Sequence, residues 1–179
     1  MVYKLIRRPN KKNALLDHAA GIVSAQGFEA LTIDALAKAA GVTKGGVQYH
    51  FSSKDELIIQ LLEYLLQGFD ALLEERPKQH TWLEAYVSAL LEPEMEGDRA
   101  VSSILSALPP HDPRTAPFDA YLNKWRKRAE ESGIDPLLSQ IIRLAADGLW
   151  LERSHHQTSQ RDIRPLVERL MQLIKGNKK

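Results

Sequence analysis

The segment 32–51 constrains the fold more than any other part of the sequence. Its first half, Thr32–Ala40, has leucine and alanine at helical spacing and is stopped by Gly41. Its second half starts at Thr43, carries two adjacent glycines and closes on an aromatic-His-aromatic triplet at 49–51. Two short helices joined by a tight glycine turn are typical of a helix-turn-helix, so the segment predicts a DNA-binding element.

Helical periodicity dominates the rest of the chain, and no run of alternating β-branched residues predicts a strand. Thr, Ser or Asp stands at several expected helix starts and glycine at several ends, and Ser53 and Glu56 have the spacing of a capping box. The pattern predicts an all-α fold of about nine helices in two parts. The expected helices cover residues 10–26, 32–40, 43–51, 53–75, 81–91, 99–108, 118–132, 136–153 and 163–175.

Composition excludes several classes of function. The chain has no cysteine, which rules out disulfides, thiolate metal sites and a thiol nucleophile. It has no glycine-rich phosphate loop after a strand and no His-Glu-x-x-His motif, so we expect no enzyme, no cofactor and no metal. No apolar run at the N-terminus resembles a secretory signal, and polar residues interrupt 57–73. We therefore expect a cytoplasmic protein with no membrane partner.

Charge is distributed unevenly along the chain. Residues 1–54 contain eight Lys/Arg and three Asp/Glu, a net charge of +5, whereas the whole chain carries +1 and the remainder therefore −4. A basic N-terminal part and an acidic remainder are expected when only the N-terminal part contacts phosphates. Chance clustering of solvated lysines would give the same distribution of charge.

Several motifs follow one another in a fixed order: 25–28, 31–33, 36–45, 49–51 and 53–57, with a weaker one at 145–151. Together they resemble the TetR family of bacterial transcriptional regulators. The resemblance implies a homodimer that binds a palindromic operator, most often as a repressor, and is released by a small-molecule inducer. It also implies a DNA-binding domain at 1–54 with a basic arm at 1–12, and a ligand-sensing and dimerisation domain at 55–179.

Five residues of the second short helix, or next to it, are expected to face DNA. Gly45 and Gly46 would let the backbone approach the duplex, because neither has a side chain in the way. Each costs a helix about 1 kcal/mol relative to alanine, so each needs a reason, and a strained turn is the alternative to close approach. Lys44 can reach guanine O6/N7 or a phosphate, and Gln48 can pair with adenine N6/N7. Tyr49 can contact a thymine methyl, a sugar or a phosphate.

Four further residues match family positions that usually hold phosphates: Thr32, Thr43, His50 and Lys54. Gly46 and Gln48 depart from the family's commoner residues, so a relative's operator preference does not transfer. Val47 and Phe51 are expected in the core. The expected arm contains Tyr3, Lys4, Arg7, Arg8, Lys11 and Lys12.

Aromatic residues accumulate in the C-terminal part: Trp82, Tyr86, Phe118, Tyr121, Trp125 and Trp150. They could simply fill a core, and the family resemblance is what favours a ligand pocket. The acidic stretch 92–98 is expected to be a solvated loop, and an acid turned inward there would favour a cationic ligand. Asp147 is expected to form an interhelical hydrogen bond or a cap.

The last two helices carry the expected dimer interface. The eighth is apolar on more than one face, and the ninth has one apolar stripe. The interface residues are predicted to be Ile141, Ala145, Gly148, Leu149, Leu166, Leu170 and Ile174. Three alternatives stay open at this point: a transcriptional activator of the same family, a helical enzyme, and an interaction module that does not bind DNA.

Overall fold

A computed structural model describes residues 10–76, 81–93, 96–156 and 159–178, except for the side chains of residues 96, 155, 156 and 160. Within these residues the backbone forms nine α-helices, two 3-10 turns and no β-strand, which confirms the all-α prediction. The helices are α1 (Lys11–Gln26), α2 (Ile33–Ala40), α3 (Lys44–Gln48), α4 (Lys54–Glu74), α5 (Trp82–Ala89), α6 (Glu96–Ala107), α7 (Ala116–Glu130), α8 (Pro136–His156) and α9 (Gln160–Gly176). The 3-10 turns are Phe28–Ala30 and Pro113–Thr115.

Local caps explain most of the helix ends. The Asn10 side chain accepts a hydrogen bond from the Asn13 N–H at the start of α1, and Gly27 ends the helix with φ of 87°. Thr81 and Glu84 form a reciprocal capping box on α5. Helix α9 begins earlier than predicted, because the Ser159 side chain caps it before the apolar stripe starts.

The predicted capping box at the start of α4 is only half correct. Ser53 Oγ accepts from the Glu56 N–H at 3.1 Å, as expected. The Glu56 carboxylate, however, receives the N–H and the hydroxyl of Ser52, one residue before the cap. Ser52 offers two donors to one oxygen, and these hydrogen bonds lower the pKa of the Glu56 carboxyl.

The chain divides into two compact units. One contains the described residues of 10–69 and 96–119, and the other contains those of 70–93 and 120–178, so the division falls within α4 and α7. The functional boundary predicted at residue 54 stays a prediction, since these units are defined by contacts alone.

The first unit is built on α1, which packs against α2, α6 and the turn Phe28–Ala30. One face of α1 is buried, and its residues are Leu15, Leu16, Ala19, Ala20, Ile22 and Val23. Val47, Phe51, Leu61 and Ile104 are fully buried in the same unit. Val47 of α3 and Phe51 just after the helix thus anchor it, while its polar residues stay outside.

The second unit packs α5 against α8 and α9, and α8 against α9. Its buried residues include Leu83, Val87, Ile142, Ile163 and Val167. Helix α5 is covered by both of the last helices, and of its two aromatic residues Tyr86 is buried and Trp82 is half-buried.

Candidate nucleic-acid interface

Helices α2 and α3 form the predicted helix-turn-helix. Thr32 Oγ1 caps α2 by accepting from the Ala35 N–H at 3.0 Å. Gly41 ends α2 in the left-handed region with φ of 66°, a conformation that glycine adopts without strain. Thr43 Oγ1 then caps α3 by accepting from the Gly46 N–H at 3.1 Å. Each threonine hydroxyl keeps its proton to donate, so capping does not exclude a phosphate contact.

The fold itself does not require the two glycines of α3. A Cβ placed on Gly45 would have its nearest neighbour 4.0 Å away, and one on Gly46 would lie 3.4 Å from Thr43 Oγ1. Both are ordinary van der Waals distances, and neither glycine has a positive φ. The chain therefore carries two helix-weakening residues at a surface where alanine would fit.

Polar side chains of α3 point to solvent. Tyr49 is 85% exposed, and Gln48, Lys44 and Thr43 are also exposed. His50 is half-buried, with its ring edge-on to Tyr49 at a centroid distance of 5.0 Å. An exposed tyrosine next to an exposed glutamine offers stacking, hydroxyl and amide groups on one surface.

Three cations of this unit have defined neighbours. Lys44 Nζ lies 3.0 Å from Asp34 Oδ2, which joins the first turns of α3 and α2. The ammonium of Lys54 is 5.0 Å from the centroid of the Phe28 ring. Lys12 lies 6.0 Å from the Phe51 ring, within α1 rather than in an extended arm. The arm residues Tyr3, Lys4, Arg7 and Arg8 lie outside the described residues, and Lys11 begins α1.

Helix α6 holds α1 and the turn Phe28–Ala30, next to the helix-turn-helix, which the sequence did not predict. The Phe28 N–H donates to Ser103 Oγ at 3.1 Å, and Arg99 Nε donates to Ser24 Oγ at 3.2 Å. Both bonds join residues 75 apart in sequence. No local pattern signals such pairs, because they depend on how α6 packs on α1.

An arginine after α6 reaches the start of α4. Arg114 donates to both carboxylate oxygens of Asp112, at 2.8 and 2.7 Å, and its third nitrogen lies 3.2 Å from Asp55 Oδ1. The Arg114 side chain and its backbone N–H lower the pKa of the Asp112 carboxyl to about 2. The turn at Pro113–Thr115 thereby holds the first turn of α4, beside Lys54.

Four of the six predicted pocket aromatics form one cluster in the second unit. Trp82 stacks on Tyr86 at 4.8 Å, Tyr86 lies 5.7 Å from Trp125, and Trp125 lies 5.6 Å from Tyr121. The Trp82 indole N–H is buried and, among the described residues, has no hydrogen-bond partner. Phe118 belongs to the first unit, and Trp150 is half-buried on α8.

Two carboxylates border the aromatic cluster. Tyr86 donates its hydroxyl to Asp147 Oδ1 at 2.6 Å, which confirms the interhelical bond predicted for Asp147. Burial raises the pKa of both groups, while Arg143, four residues away on α8, opposes the shift at Asp147. Asp70 of α4 is buried and accepts from Trp125 Nε1 at 3.2 Å and from Lys124 Nζ at 2.5 Å.

The acidic stretch 92–98 is not uniformly solvated. Glu92 is exposed and pairs with Arg76 at 3.2 Å, as expected of a surface residue. Asp98 is buried and belongs to α6, which begins at Glu96. The side chains of Glu94 and Glu96 lie outside the described residues.

The last two helices leave an apolar surface uncovered. Leu137, Ile141, Leu144, Leu151 and Leu166 are between 49% and 71% exposed. Of the other predicted interface residues, Ala145 and Gly148 are exposed, and Leu149 and Leu170 are half-buried. Ile174 is fully buried within its own unit, unlike the other predicted interface residues, and its contact with a second copy stays a prediction. Within the described residues, no helix is both long and apolar enough to cross a membrane.

These features define a helical protein with an exposed helix-turn-helix, and comparisons with known proteins agree. Residues 15–61 match the family model of bacterial regulatory proteins of the tetR family, and residues 80–175 match the tetracyclin repressor-like C-terminal domain. The second match alone covers more than half of the chain. The chain belongs to the TetR family of transcriptional regulators.

Relatives of known sequence or structure fit this assignment. An uncharacterized HTH-type transcriptional regulator of Bacillus subtilis, YfiR, is 26% identical over 147 residues, which is 79% of this chain and 67% of YfiR. A transcriptional regulator from Rhodococcus sp. Rha1 superposes with a TM-score of 0.77 at 22% identity, covering 95% of this chain and 99% of the other. The multidrug binding protein EbrR, in complex with ethidium, superposes with a TM-score of 0.67 at 21% identity, covering 90% and 98%.

Proposed function

We propose that this regulator is a repressor that binds a palindromic operator as a homodimer and is released by a small-molecule inducer. The observation that carries the proposal is the surface of α3, where two glycines that the fold does not need adjoin exposed hydrogen-bonding side chains. A backbone stripped of side chains beside exposed polar groups suits close approach to a duplex. We propose a cytoplasmic protein without enzymatic activity.

Within the DNA-binding domain at 1–54, Gln48, Tyr49 and Lys44 would contact base edges, since their side chains extend from the exposed surface of α3. Lys54, His50, Thr32 and Thr43 would hold phosphates, the threonines through hydroxyl protons that capping leaves available. The remaining residues, 55–179, would carry sensing and dimerisation.

The homodimer would form through the exposed apolar surface of α8 and α9. Large apolar side chains exposed on adjacent helices favour association with a second copy, because a two-fold axis lets one surface cover itself. Ala145 and Gly148 lie among these leucines and would allow the helices of two copies to approach closely. Two helices from each protomer would then make a four-helix interface.

The inducer would bind at the aromatic cluster of the second unit. The buried N–H of Trp82 supports this, because an unpaired buried donor costs about 1–3 kcal/mol and an acceptor on a ligand would satisfy it. Stacked aromatic rings suit a flat apolar ligand. EbrR has been crystallised with ethidium and with malachite green, so planar dyes are reasonable first probes.

Release requires an inducer that binds one arrangement of the protein better than another, since equal affinity for both would shift nothing. Asp70 offers a route, because it belongs to α4 and holds Trp125 of the aromatic cluster. A ligand that displaces Trp125 would break its hydrogen bond to Asp70, in the C-terminal part of α4.

Two variants test the DNA-reading assignment. Gln48→Ala should reduce discrimination between operator sequences, because it removes a base-reading amide, whereas Lys54→Ala should weaken binding to all sequences similarly. Fluorescence anisotropy over a panel of operator mutants measures both profiles. Identical profiles for the two variants would overturn the assignment.

A further inference from the structure

The ion pair between Asp34 and Lys44 stands out on the helix-turn-helix. Lys44 Nζ and Asp34 Oδ2 are 3.0 Å apart, and the two side chains are 56% and 72% exposed. An ion pair this exposed contributes about 0–1 kcal/mol to stability, so folding does not explain it. Lysine at the first position of a helix also opposes the helix dipole.

The pair lies where a duplex would be read. Lys44 opens α3, directly after the cap Thr43, and Asp34 lies in the first turn of α2, after the cap Thr32. Because the two charged groups are 3.0 Å apart, Asp34 reaches the same place on a duplex as Lys44. The surface therefore presents the N–H donors of the Lys44 ammonium next to the carboxylate acceptor of Asp34.

A donor beside an acceptor complements one base pair well. In the major groove, guanine presents the acceptors O6 and N7, and its partner cytosine presents the N4 amino donor. Lysine satisfies the first and aspartate the second. A phosphate satisfies only the lysine, and the carboxylate next to it is then repelled by the duplex.

Resting on the proposed DNA-binding function, we propose that Asp34 and Lys44 act together to read one G·C base pair in each half-site. Lys44 donates to guanine, and Asp34 accepts from cytosine. On DNA without that pair, Asp34 both competes for the Lys44 ammonium and repels the phosphates. Asp34 is thus a specificity-determining residue that lowers binding to random sequence.

The test compares Asp34→Asn with the wild-type protein on two probes. One probe is a mixed-sequence duplex, and the other is a duplex that the wild-type protein has selected from a random pool. For Asp34→Asn, affinity for the mixed duplex should rise roughly fivefold, and the slope of log affinity against log salt should steepen by about 0.9, since Lys44 gains a phosphate. Affinity for the selected duplex should stay level or fall.

Glu29→Gln is the matched control, because Glu29 is an exposed acid of the same unit in the turn Phe28–Ala30. It removes the same charge and should leave both the salt slope and the selected motif unchanged. Lys44→Met should remove the preference for the same base pair that Asp34→Asn removes. If Asp34→Asn fails to fold, Asp34→Ser takes its place, because it also removes the exposed carboxylate.

Three outcomes would overturn the inference: Asp34→Asn selects the wild-type motif, Glu29→Gln loses the same base pair, or Asp34→Asn and Lys44→Met lose different ones. Failure of the wild-type protein to bind either duplex is a distinct result. That result would contradict the proposed DNA-binding function itself. Binding of the wild-type protein to DNA is therefore measured before any variant is made.

Discussion

Gly45 and Gly46 are positions where stability and the proposed function make opposite demands. Alanine would fit at each without a close contact, and neither backbone is left-handed. A helix gains from alanine because glycine loses more conformational entropy on folding. Retaining glycine at both positions therefore favours a role that needs the missing side chain, and contact with a duplex is such a role.

Gly45→Ala and Gly46→Ala should each raise the free energy of unfolding by about 0.5–1 kcal/mol and weaken DNA binding. Gly21→Ala is the control, since Gly21 lies inside α1 and a Cβ added there would meet no atom within 4 Å. It should stabilise similarly without affecting DNA affinity. Urea unfolding and anisotropy measure the two effects, and unchanged DNA affinity in both α3 variants would contradict the close-approach role.

The Asp112 carboxylate should make the stability of the fold depend on pH in the acid range. Its pKa is lowered from 3.8 to about 2 in the folded protein, so the carboxylate stabilises the fold above pH 3.8 and this contribution is lost as pH falls through about 2. Asp112→Asn should lower stability at neutral pH and flatten the stability profile between these values. Urea unfolding against pH measures this, and profiles of equal slope in that window would refute it.

At the scale of elements, α8 and α9 each present two different faces. Ile142 and Ala146 of α8 are buried, whereas Ile141 and Leu144 on the same helix are exposed. On α9, Val167 is buried beside the exposed Leu166. A helix that is apolar on both sides has one side left to cover after its own unit has folded.

Ile141→Glu and Leu166→Glu should each convert the proposed dimer to a monomer, because each places a charge in an apolar interface without a partner. Gln172→Glu adds the same charge at an exposed polar position of α9 and should remain dimeric. Sedimentation velocity at micromolar protein distinguishes these states. A wild-type monomer at that concentration would contradict the proposed interface.

At the scale of the whole molecule, the sequence predicts features that depend on nearby residues. Caps such as Thr32, Thr43 and Thr81 act across three residues, so the helix starts they set could be predicted closely. The partner of Lys44, ten residues away, could not, because a long side chain can point in several directions. The sequence predicts an apolar stripe on α9. It does not predict that Ile174, a member of that stripe, is covered by its own unit.

Long-range packing limits prediction further. Helix α6 joins α1 in the first unit, although it lies far along the chain and within the span of the C-terminal family model. Arg114 likewise reaches Asp55 across 59 residues. Such contacts follow from how whole helices pack, and hydrophobic periodicity states only which side of each helix is apolar.

Selection from a random-sequence duplex pool by the wild-type protein tests the central claim most directly. A homodimer that reads DNA with α3 should enrich an inverted repeat, with half-site centres separated by about one helical turn or a multiple of it. Binding to the enriched duplex should weaken steeply as salt is raised, because Lys and Arg release counterions. Recovery of a pool without any enriched motif would contradict the account.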